Sequence, residues 1–310
     1  MRKYVLKRLI ISAVTIFIIL FVLFMLLSLM PGSPFNNQEK LTPEQIQKMK
    51  EYYGLDKPVV ERFFIYISKM LHGDFGVSYS IQVNMSIRDM VLSRFAITLR
   101  LGLQAGVIGA LVGIILGIVA ALNRKTGWDT LTTAISVLGV SLPSFVFALL
   151  LSYFLGYKFK LFPLLYSDSM PIKSLVLPTI ALSMFTLANA ARYTRTEMIS
   201  IMASDYMMLA ESKGLPKVKL IVRHALRNAM ISIITVLAPL LVNLMTGSLV
   251  IEKAFSIPGL GSLYIMAIQS NDYNVVLAIS FIYSVMFIAA MLLVDILYVT
   301  IDPRVRLAKE

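Results

Sequence analysis

The chain reads SDYMMLAESKGLP over residues 204–216, between two long apolar segments. Ser204 is a suitable N-cap, Gly214 stands where a helix ends in a left-handed turn, and Pro216 suits the first position of a following helix. The stretch therefore predicts a short helix, a glycine stop and a proline restart. Such an elbow beneath a membrane bundle is a place where another protein can apply force.

The chain as a whole is too apolar for a soluble domain, with 58% hydrophobic residues and a mean hydropathy of +0.79. Several segments are long enough to cross about 30 Å of hydrocarbon as helices. They are 9–30, 97–122, 131–157, 172–191, 230–251 and 275–300. The sequence therefore predicts an all-α membrane protein with six transmembrane helices.

The first apolar segment, 9–30, follows a basic tail, so a cleaved signal peptide is the alternative to a retained helix. The length of the segment favours a retained helix. Its exit at Met30-Pro31-Gly32, with no small-x-small cleavage pattern, favours the same interpretation.

Lysine and arginine residues concentrate in alternate connecting segments, which predicts the orientation in the membrane. With the N-terminus inside, the inner segments hold most of them, including the seven in 192–228. Both termini are therefore predicted to be cytoplasmic. The same bias explains most of the net charge of +12 and argues against nucleic-acid binding. The sequence has no cysteine, which excludes disulfides and thiolate metal sites.

The predicted organisation has four parts: a tail with the first transmembrane helix (1–30), an extracytoplasmic helical insertion (31–96), a transmembrane core (97–300) and a cytoplasmic tail (301–310). The core contains a cytoplasmic coupling loop at 192–230. Within the insertion, Thr42-Pro43-Glu44-Gln45 is typical of a helix start. We interpret the insertion as a helical cap at the membrane interface, with docking of an external partner as the alternative.

Small residues and prolines indicate how the spans pack. Glycines at 102, 106, 109, 113 and 117 share one ridge of the second span, which predicts close contact with another helix. Pro143, Pro178 and Pro239 each interrupt a span and permit a bend.

Signals for catalysis are absent from the sequence. It contains no G-x-x-x-x-G-K-[ST] loop for ATP, and His72 and His224 do not belong to a metal-binding spacing. Arg100, Glu252 and Asp295 lie near span ends, where anchoring or pairing is a better explanation than a substrate role. The chain is therefore predicted to be a transport subunit with no catalytic residues, no metal and no cofactor of its own.

A neutral polar face marks the fifth span. Pro239, Asn243 and Thr246 lie at i, i+4 and i+7, on one side of the helix. Such a face suits a water-lined path for a polar solute, and hydrogen bonding between helices is the alternative. The candidate path residues are Asn243, Thr246, Glu252 and Pro143.

Several motifs, taken together, resemble the type I permease subunits of ATP-binding-cassette importers, in the oligopeptide, dipeptide and nickel branch. They are GDFGVS at 73–78, SLPSF at 141–145, HALRNA at 224–229, TGSLVIEKAFSIPGLG at 246–261 and DPR at 302–304, with Ala210 and Gly214 of the elbow. The resemblance covers nearly the whole chain. It implies a type I permease bundle whose elbow is a coupling helix held in a groove of an ATPase subunit.

The resemblance implies a coupling role for the elbow residues Ser204, Asp205, Tyr206, Leu209, Ala210, Glu211, Lys213, Gly214, Leu215 and Pro216. The family pattern is Glu-Ala-Ala-x-x-x-Gly, of which only Ala210 and Gly214 match here. Met208 stands in the place of the glutamate, so no acidic contact is carried over to that position.

The implied machine contains a second, similar permease subunit, two cytoplasmic ATPases that carry ATP and Mg, and an external peptide-binding protein. Its place is the plasma membrane of a bacterium or archaeon. ATP binding would close the ATPases, move the elbows and turn the spans outward to accept the solute.

The sequence is compatible with three functional hypotheses. The first is an importer permease for oligopeptides, with dipeptides or nickel complexes as neighbouring substrates. The second is a self-sufficient secondary transporter, which predicts mid-membrane acids or inverted repeats that the sequence does not show. The third is a membrane-anchored scaffold, which leaves the elbow without a purpose. The sequence favours the oligopeptide importer permease.

Overall fold

A computed structural model describes residues 2–29, 43–52, 54–245 and 249–301. The described helices are α1 (Arg2–Leu29), α2 (Pro43–Tyr52), α3 (Val59–Leu71), α4 (Ile87–Leu122), α5 (Gly127–Ser141), α6 (Ser144–Leu151), α7 (Pro171–Ser174), α8 (Val176–Met202), α9 (Asp205–Ser212), α10 (Lys217–Lys219), α11 (Arg227–Met245), α12 (Leu249–Ala254), α13 (Leu260–Gln269) and α14 (Tyr273–Ile301). Two π-helical segments, Ser152–Lys158 and Leu220–Leu226, extend α6 and lead into α11. Across the described residues, pairing of extended backbone is limited to an isolated bridge between Val77 and Ser86.

Membrane-spanning helices account for most of the chain. Five described helices are long and apolar enough to cross a bilayer, at Lys7–Leu29, Ile87–Leu122, Pro171–Met202, Lys217–Leu244 and Tyr273–Val294. A sixth span is the bent pair Gly127–Ser141 and Ser144–Lys158. The predicted all-α fold of six spans is therefore confirmed, with one span broken.

The break in the third span has a local cause. The segment predicted at 131–157 is two helices that meet at 110°. Leu142 is extended, with φ −84° and ψ 125°, because the ring of Pro143 disfavours the helical conformation of the preceding residue. Pro143 also lacks an N–H donor, so α5 ends at Ser141 and α6 starts afresh at Ser144.

The fourth and fifth spans also differ from the predicted bounds. The fourth runs on to Met202, well beyond the predicted end at residue 191. The segment predicted as the fifth span, 230–251, is divided between α11 and the separate short helix α12, which holds Glu252. Thr42 of the predicted helix start, Thr246 of the predicted path and the tail 302–310 lie outside the described residues.

The chain folds as two compact units. One contains Met1–Ile97 with Pro258–Ile288, and the other contains Thr98–Ile257 with Ala289–Glu310. This division into two units does not test the four-part organisation predicted from the sequence, which stays a prediction.

The core of the first unit forms where α1 packs on α3. The fully buried ring of Phe63 lies 5.4, 5.1 and 5.5 Å from the ring centroids of Phe17, Phe21 and Phe24, each in an edge-to-face arrangement. Aromatic pairs of this geometry stabilise a core beyond the area that they bury. Aromatic packing therefore holds α3 against the first span.

A buried carboxylate fixes the loop that follows α3 in the same unit. Oδ2 of Asp272 accepts hydrogen bonds from the Ser78 hydroxyl at 2.5 Å and from the backbone N–H groups of Tyr79 and Ser80 at 3.0 Å each. The N–H of Ile81 approaches the same oxygen at 3.3 Å. Ser78 and Asp272 are both fully buried. One side chain therefore satisfies several donors that water does not reach.

We expect Asp272→Ala to destabilise the first unit by about 3 kcal/mol, because it leaves several buried donors without an acceptor. Ser78→Ala removes the bond to Asp272 and the bond that the hydroxyl accepts from the N–H of Gln82, and should cost about 1–2 kcal/mol. Thermal unfolding of the purified variants, with hydrogen exchange of the amides at 79–81, measures both effects. Equal stability of the two variants would show that the Asp272 carboxylate does not hold the loop.

Helix α8 is the centre of the second unit, where it packs against α5, α6 and α11. Gly109, Gly113 and Gly117 of the predicted ridge on α4 lie against it, whereas Gly106 faces Leu241 and Leu244 of α11. A Cβ on Gly109 would lie 2.7 Å from the Ser183 carbonyl oxygen, and one on Gly117 would lie 2.6 Å from that of Ala191. Backbones approach this closely only where the side chain is a hydrogen.

Candidate coupling surface and translocation path

The elbow begins where the backbone turns extended at Ser204, with φ −81° and ψ 153°. Its carbonyl oxygen accepts the N–H of Met207 at 3.0 Å, which starts α9. The Ser204 hydroxyl donates backward to the Ile201 carbonyl at 2.5 Å. The predicted N-cap position of Ser204 is therefore confirmed, and its hydroxyl bonds the end of α8 instead of an N–H of α9.

The elbow ends as the sequence predicts. Gly214 has φ +76°, and its N–H donates to the Glu211 carbonyl at 2.9 Å. This left-handed conformation strains any residue with a Cβ, which explains the glycine. The sequence predicts Pro216 as the first residue of the next helix. In the structure Pro216 is instead the N-cap of α10, because its ψ of 143° is extended and the helix starts at Lys217.

Buried side chains couple the elbow to two spans. Met207 is buried in one cluster with Met198 of α8 and with Leu220, Ala225 and others from the start of the fifth span. The Asn228 amide also donates to the Tyr206 hydroxyl at 3.1 Å. Close-packed interiors transmit displacement. A force on α9 therefore reaches both the inner end of α8 and the inner end of α11.

The face of the elbow that points away from this buried cluster is apolar and exposed. Met208 and Leu209 are each 56% exposed, Tyr206 is 44% exposed, and Val218 beyond the turn is 74% exposed. Asp205, Glu211 and Lys213 are exposed around them, while Ala210 and Leu215 are half-buried. The structure thus places all of the predicted coupling residues on one elbow, and their contact with a partner stays a prediction.

An ion pair that sequence reasoning missed joins the inner ends of α5 and α8. Arg195 reaches both carboxylate oxygens of Asp129, at 2.5 Å from Nε and 3.0 Å from Nη2. The N–H of Lys125 donates to the same carboxylate at 2.9 Å. Beside this pair lies a groove of about 240 Å³ whose lining includes Thr132 and Ser136, and the Ser136 hydroxyl donates to the Thr132 carbonyl. The sequence signal that could have indicated this groove is the spacing of Thr132 and Ser136, two hydroxyl residues at i and i+4 in an apolar segment.

The broken span opens a second cavity. Pro143 lines a space of about 290 Å³ with Phe147, Met184 and Phe185. Irregular backbone at membrane depth occurs in proteins where it lines such a cavity. This position keeps Pro143 as a path candidate.

The other path candidates lie elsewhere. Asn243 is exposed on α11 and does not line the cavity at Pro143. Glu252 is fully buried, and its Oε1 accepts the Thr98 hydroxyl at 2.8 Å, a contact that fits a structural role in this conformation. The structure therefore does not gather Pro143, Asn243 and Glu252 into one site. Their part in transport stays a prediction.

Comparison with known proteins decides the class. Residues 113–307 match the family described as binding-protein-dependent transport system inner membrane component. Residues 1–102 match the N-terminal family of the same membrane component. The chain belongs to this family. It is a multi-pass permease component of an ATP-binding-cassette importer in the inner membrane, and it works with other subunits.

Full-length relatives of this permease have peptide-transport names. The dipeptide transport system permease protein DppB of Lactococcus lactis subsp. cremoris (strain MG1363) is 40% identical over 99% of this chain and 100% of its own length. DppB of Bacillus subtilis (strain 168) is 40% identical over 100% of both chains. The oligopeptide transport system permease protein OppB of Escherichia coli (strain K12) is 34% identical over 99% of this chain and 100% of its own.

Proposed function

We propose that this permease forms the translocation path for peptides in an ATP-driven importer. The observation that carries the proposal is identity of 34–40% over the full length to permeases of dipeptide and oligopeptide transport systems. The sequence motifs fit peptide permeases generally, and oligopeptides are the substrates that we propose. Dipeptides are the alternative, supported by the higher identity to the dipeptide permeases.

The proposed machine has a second, similar permease subunit, two cytoplasmic ATPases and an external peptide-binding protein. ATP and Mg would bind on the ATPases, and this chain would bind neither. Support comes from the sequence, which has no phosphate-binding loop, and from the family, which depends on a binding protein.

The elbow gives the proposal its mechanical part. Its exposed face, around Tyr206, Met208 and Leu209, would fill a groove of one ATPase. Movement of that groove would pass through buried Met207 to α8 and α11. Two packings of the bundle would then alternate, as in other rigid-body transitions between packed elements.

The path itself would pass the broken third span. The cavity at Pro143 and the hydroxyl groove at Thr132 and Ser136 both lie on α5 or at its end, beside α8. Both combine apolar walls with hydroxyl or backbone polar groups, which a peptide backbone can use without binding tightly. The affinity for peptide would come from the external protein.

Proteoliposomes test the proposal directly. We expect ATP-dependent uptake when they hold this chain, the second permease and both ATPases, with the binding protein present outside. Labelled dipeptides, tripeptides and pentapeptides, used in parallel, separate the two substrate classes. Vesicles without the ATPases are the control and should take up no peptide. Full uptake without ATP, or uptake of a nickel complex in preference to every peptide, would overturn the proposal.

A further inference from the structure

The first unit contains a cavity of about 620 Å³ that the transport mechanism does not use. Its walls are the outer part of α1, one face of α3, the connection between α2 and α3, and the loop after α3. Three cationic residues line it, Lys57, Arg62 and Lys69, with two acidic ones, Glu51 and Asp74. The balance of these charges decides what the cavity can hold.

Both carboxylates of the lining are already engaged within the chain. Asp74 accepts the N–H of Gly76 at 2.9 Å, and Glu51 accepts the side-chain amide of Gln47 at 2.9 Å. The third carboxylate nearby, that of Glu61, pairs with Lys57 at 2.8 Å. Within the described part of the chain, Arg62 and Lys69 have no carboxylate at ion-pair distance. The lining has three cations and two carboxylates, a formal charge of +1, and the positive charges of Arg62 and Lys69 are not directly paired within it.

Arg62 is the more constrained of the two cations. Its guanidinium is partly buried and lies 5.7 Å from the centroid of the Phe24 ring. Burial lowers the pKa of Arg62, although arginine stays protonated at any physiological pH. A partly buried charge without a counter-ion is costly. An anion in the cavity would offset that cost.

Arg62, Tyr66 and Lys69 stand at i, i+4 and i+7, so one face of α3 presents all three to the cavity. The Tyr66 hydroxyl is buried and, among the described residues, has no hydrogen-bond partner. Guanidinium and ammonium groups are the side chains that bind phosphate oxygens, and the guanidinium does so with two parallel donors. This combination suits a phosphate better than a metal or a neutral solute.

The position of the cavity identifies the source of the phosphate. Phe24 precedes the outer end of α1 at Leu29 by about 7.5 Å along the helix, so the cavity borders the end of the span, beyond which lipid headgroups begin. Leu26, Leu29 and Phe64 leave apolar surface exposed on α1 and α3, where acyl chains can lie. We propose that this cavity binds the phosphate of an anionic phospholipid through Arg62 and Lys69. Basic pockets between transmembrane helices bind anionic headgroups on the cytoplasmic side of membranes, and this cavity would be a counterpart on the outer side.

The test uses the full chain, purified in detergent and stripped of lipid. Phosphatidylglycerol, phosphatidylethanolamine and inorganic phosphate are added separately, and native mass spectrometry with thermal unfolding reports binding. We expect phosphatidylglycerol to bind about ten-fold more tightly than phosphatidylethanolamine and to raise the unfolding temperature. Arg62→Met should remove that preference. Arg88→Met takes one exposed charge from the same unit, outside the lining of the cavity, and should keep it.

Other outcomes would overturn the proposal. Equal binding of phosphatidylglycerol to Arg62→Met and to the unaltered chain would remove Arg62 from any lipid site. Stabilisation by inorganic phosphate alone would make the ligand a soluble phosphate. If Arg62→Met still binds phosphatidylglycerol normally but is no longer activated by the external binding protein, the cavity would be a docking site for an acidic protein surface. If Arg62→Met does not fold, Lys69→Met provides the same comparison.

Discussion

Gly113→Leu is expected to prevent the second unit from folding. A Cβ at this position would lie 2.5 Å from the Cβ of Ala190 and against the Leu187 carbonyl of α8. Neither neighbour can yield, because one is a minimal side chain and the other is helical backbone. Overpacking of this kind costs about 3 kcal/mol or more, and it would push α4 away from the central helix of the unit. We expect little monodisperse protein after detergent extraction, as measured by size-exclusion chromatography.

Gly127→Leu is the matched control for this prediction. Gly127 begins α5, and a Cβ there would meet nothing within 4 Å. Both variants add the same apolar side chain, so membrane insertion should proceed in each. A Gly113→Leu chain that elutes and unfolds like the control would mean that α4 and α8 do not approach as closely as the structure shows.

Features with a local cause could be predicted from the sequence. The left-handed turn at Gly214 follows from a glycine placed after a short helix and before a proline, and the structure gives it φ +76°. The contact of α4 with α8 follows from small residues at spacings of three and four. Both signals act over one or two turns of chain, so no knowledge of the tertiary structure is needed to find them.

Contacts between distant residues could not be predicted. Asp272 holds a loop that lies more than 190 residues earlier in the chain. Glu252 meets Thr98 across 154 residues, and Arg195 meets Asp129 across 66. No local pattern pairs such residues, because their partners are set by how the helices assemble. The sequence therefore predicts Glu252 at the end of a span, whereas in the structure it is buried in the separate short helix α12.

The bent third span lies between these two cases. Proline at 143 predicts a bend, but its angle of 110° depends on what occupies the space beside it. Phe147 and Met184 line the cavity that forms there. A local rule thus located the break, and the surrounding packing decided that it would open a cavity.

Gly214→Val is expected to abolish transport while leaving the membrane fold intact. Nothing lies within 4 Å of a Cβ built on Gly214, so the substitution meets no steric block within this chain. Its cost is conformational, since φ +76° is strained for a β-branched residue by about 1–2 kcal/mol. Relief of that strain would change the angle between α9 and α10 and withdraw the exposed face at Met208 and Leu209 from its ATPase. Peptide uptake and substrate-stimulated ATP hydrolysis, measured on the reconstituted importer, should both be lost.

Gly214→Asn separates conformation from contact at the same position. Asparagine adopts the left-handed region more readily than other residues with a Cβ, so this variant should keep most of the uptake. Both variants should be extracted and purified like the unaltered chain, because Met207 still anchors the elbow in its cluster. Normal uptake by Gly214→Val would remove the turn from the coupling mechanism. Equal failure of the two variants would show that the ATPase requires a bare backbone at this position, and the left-handed angle would then not be the reason for the glycine.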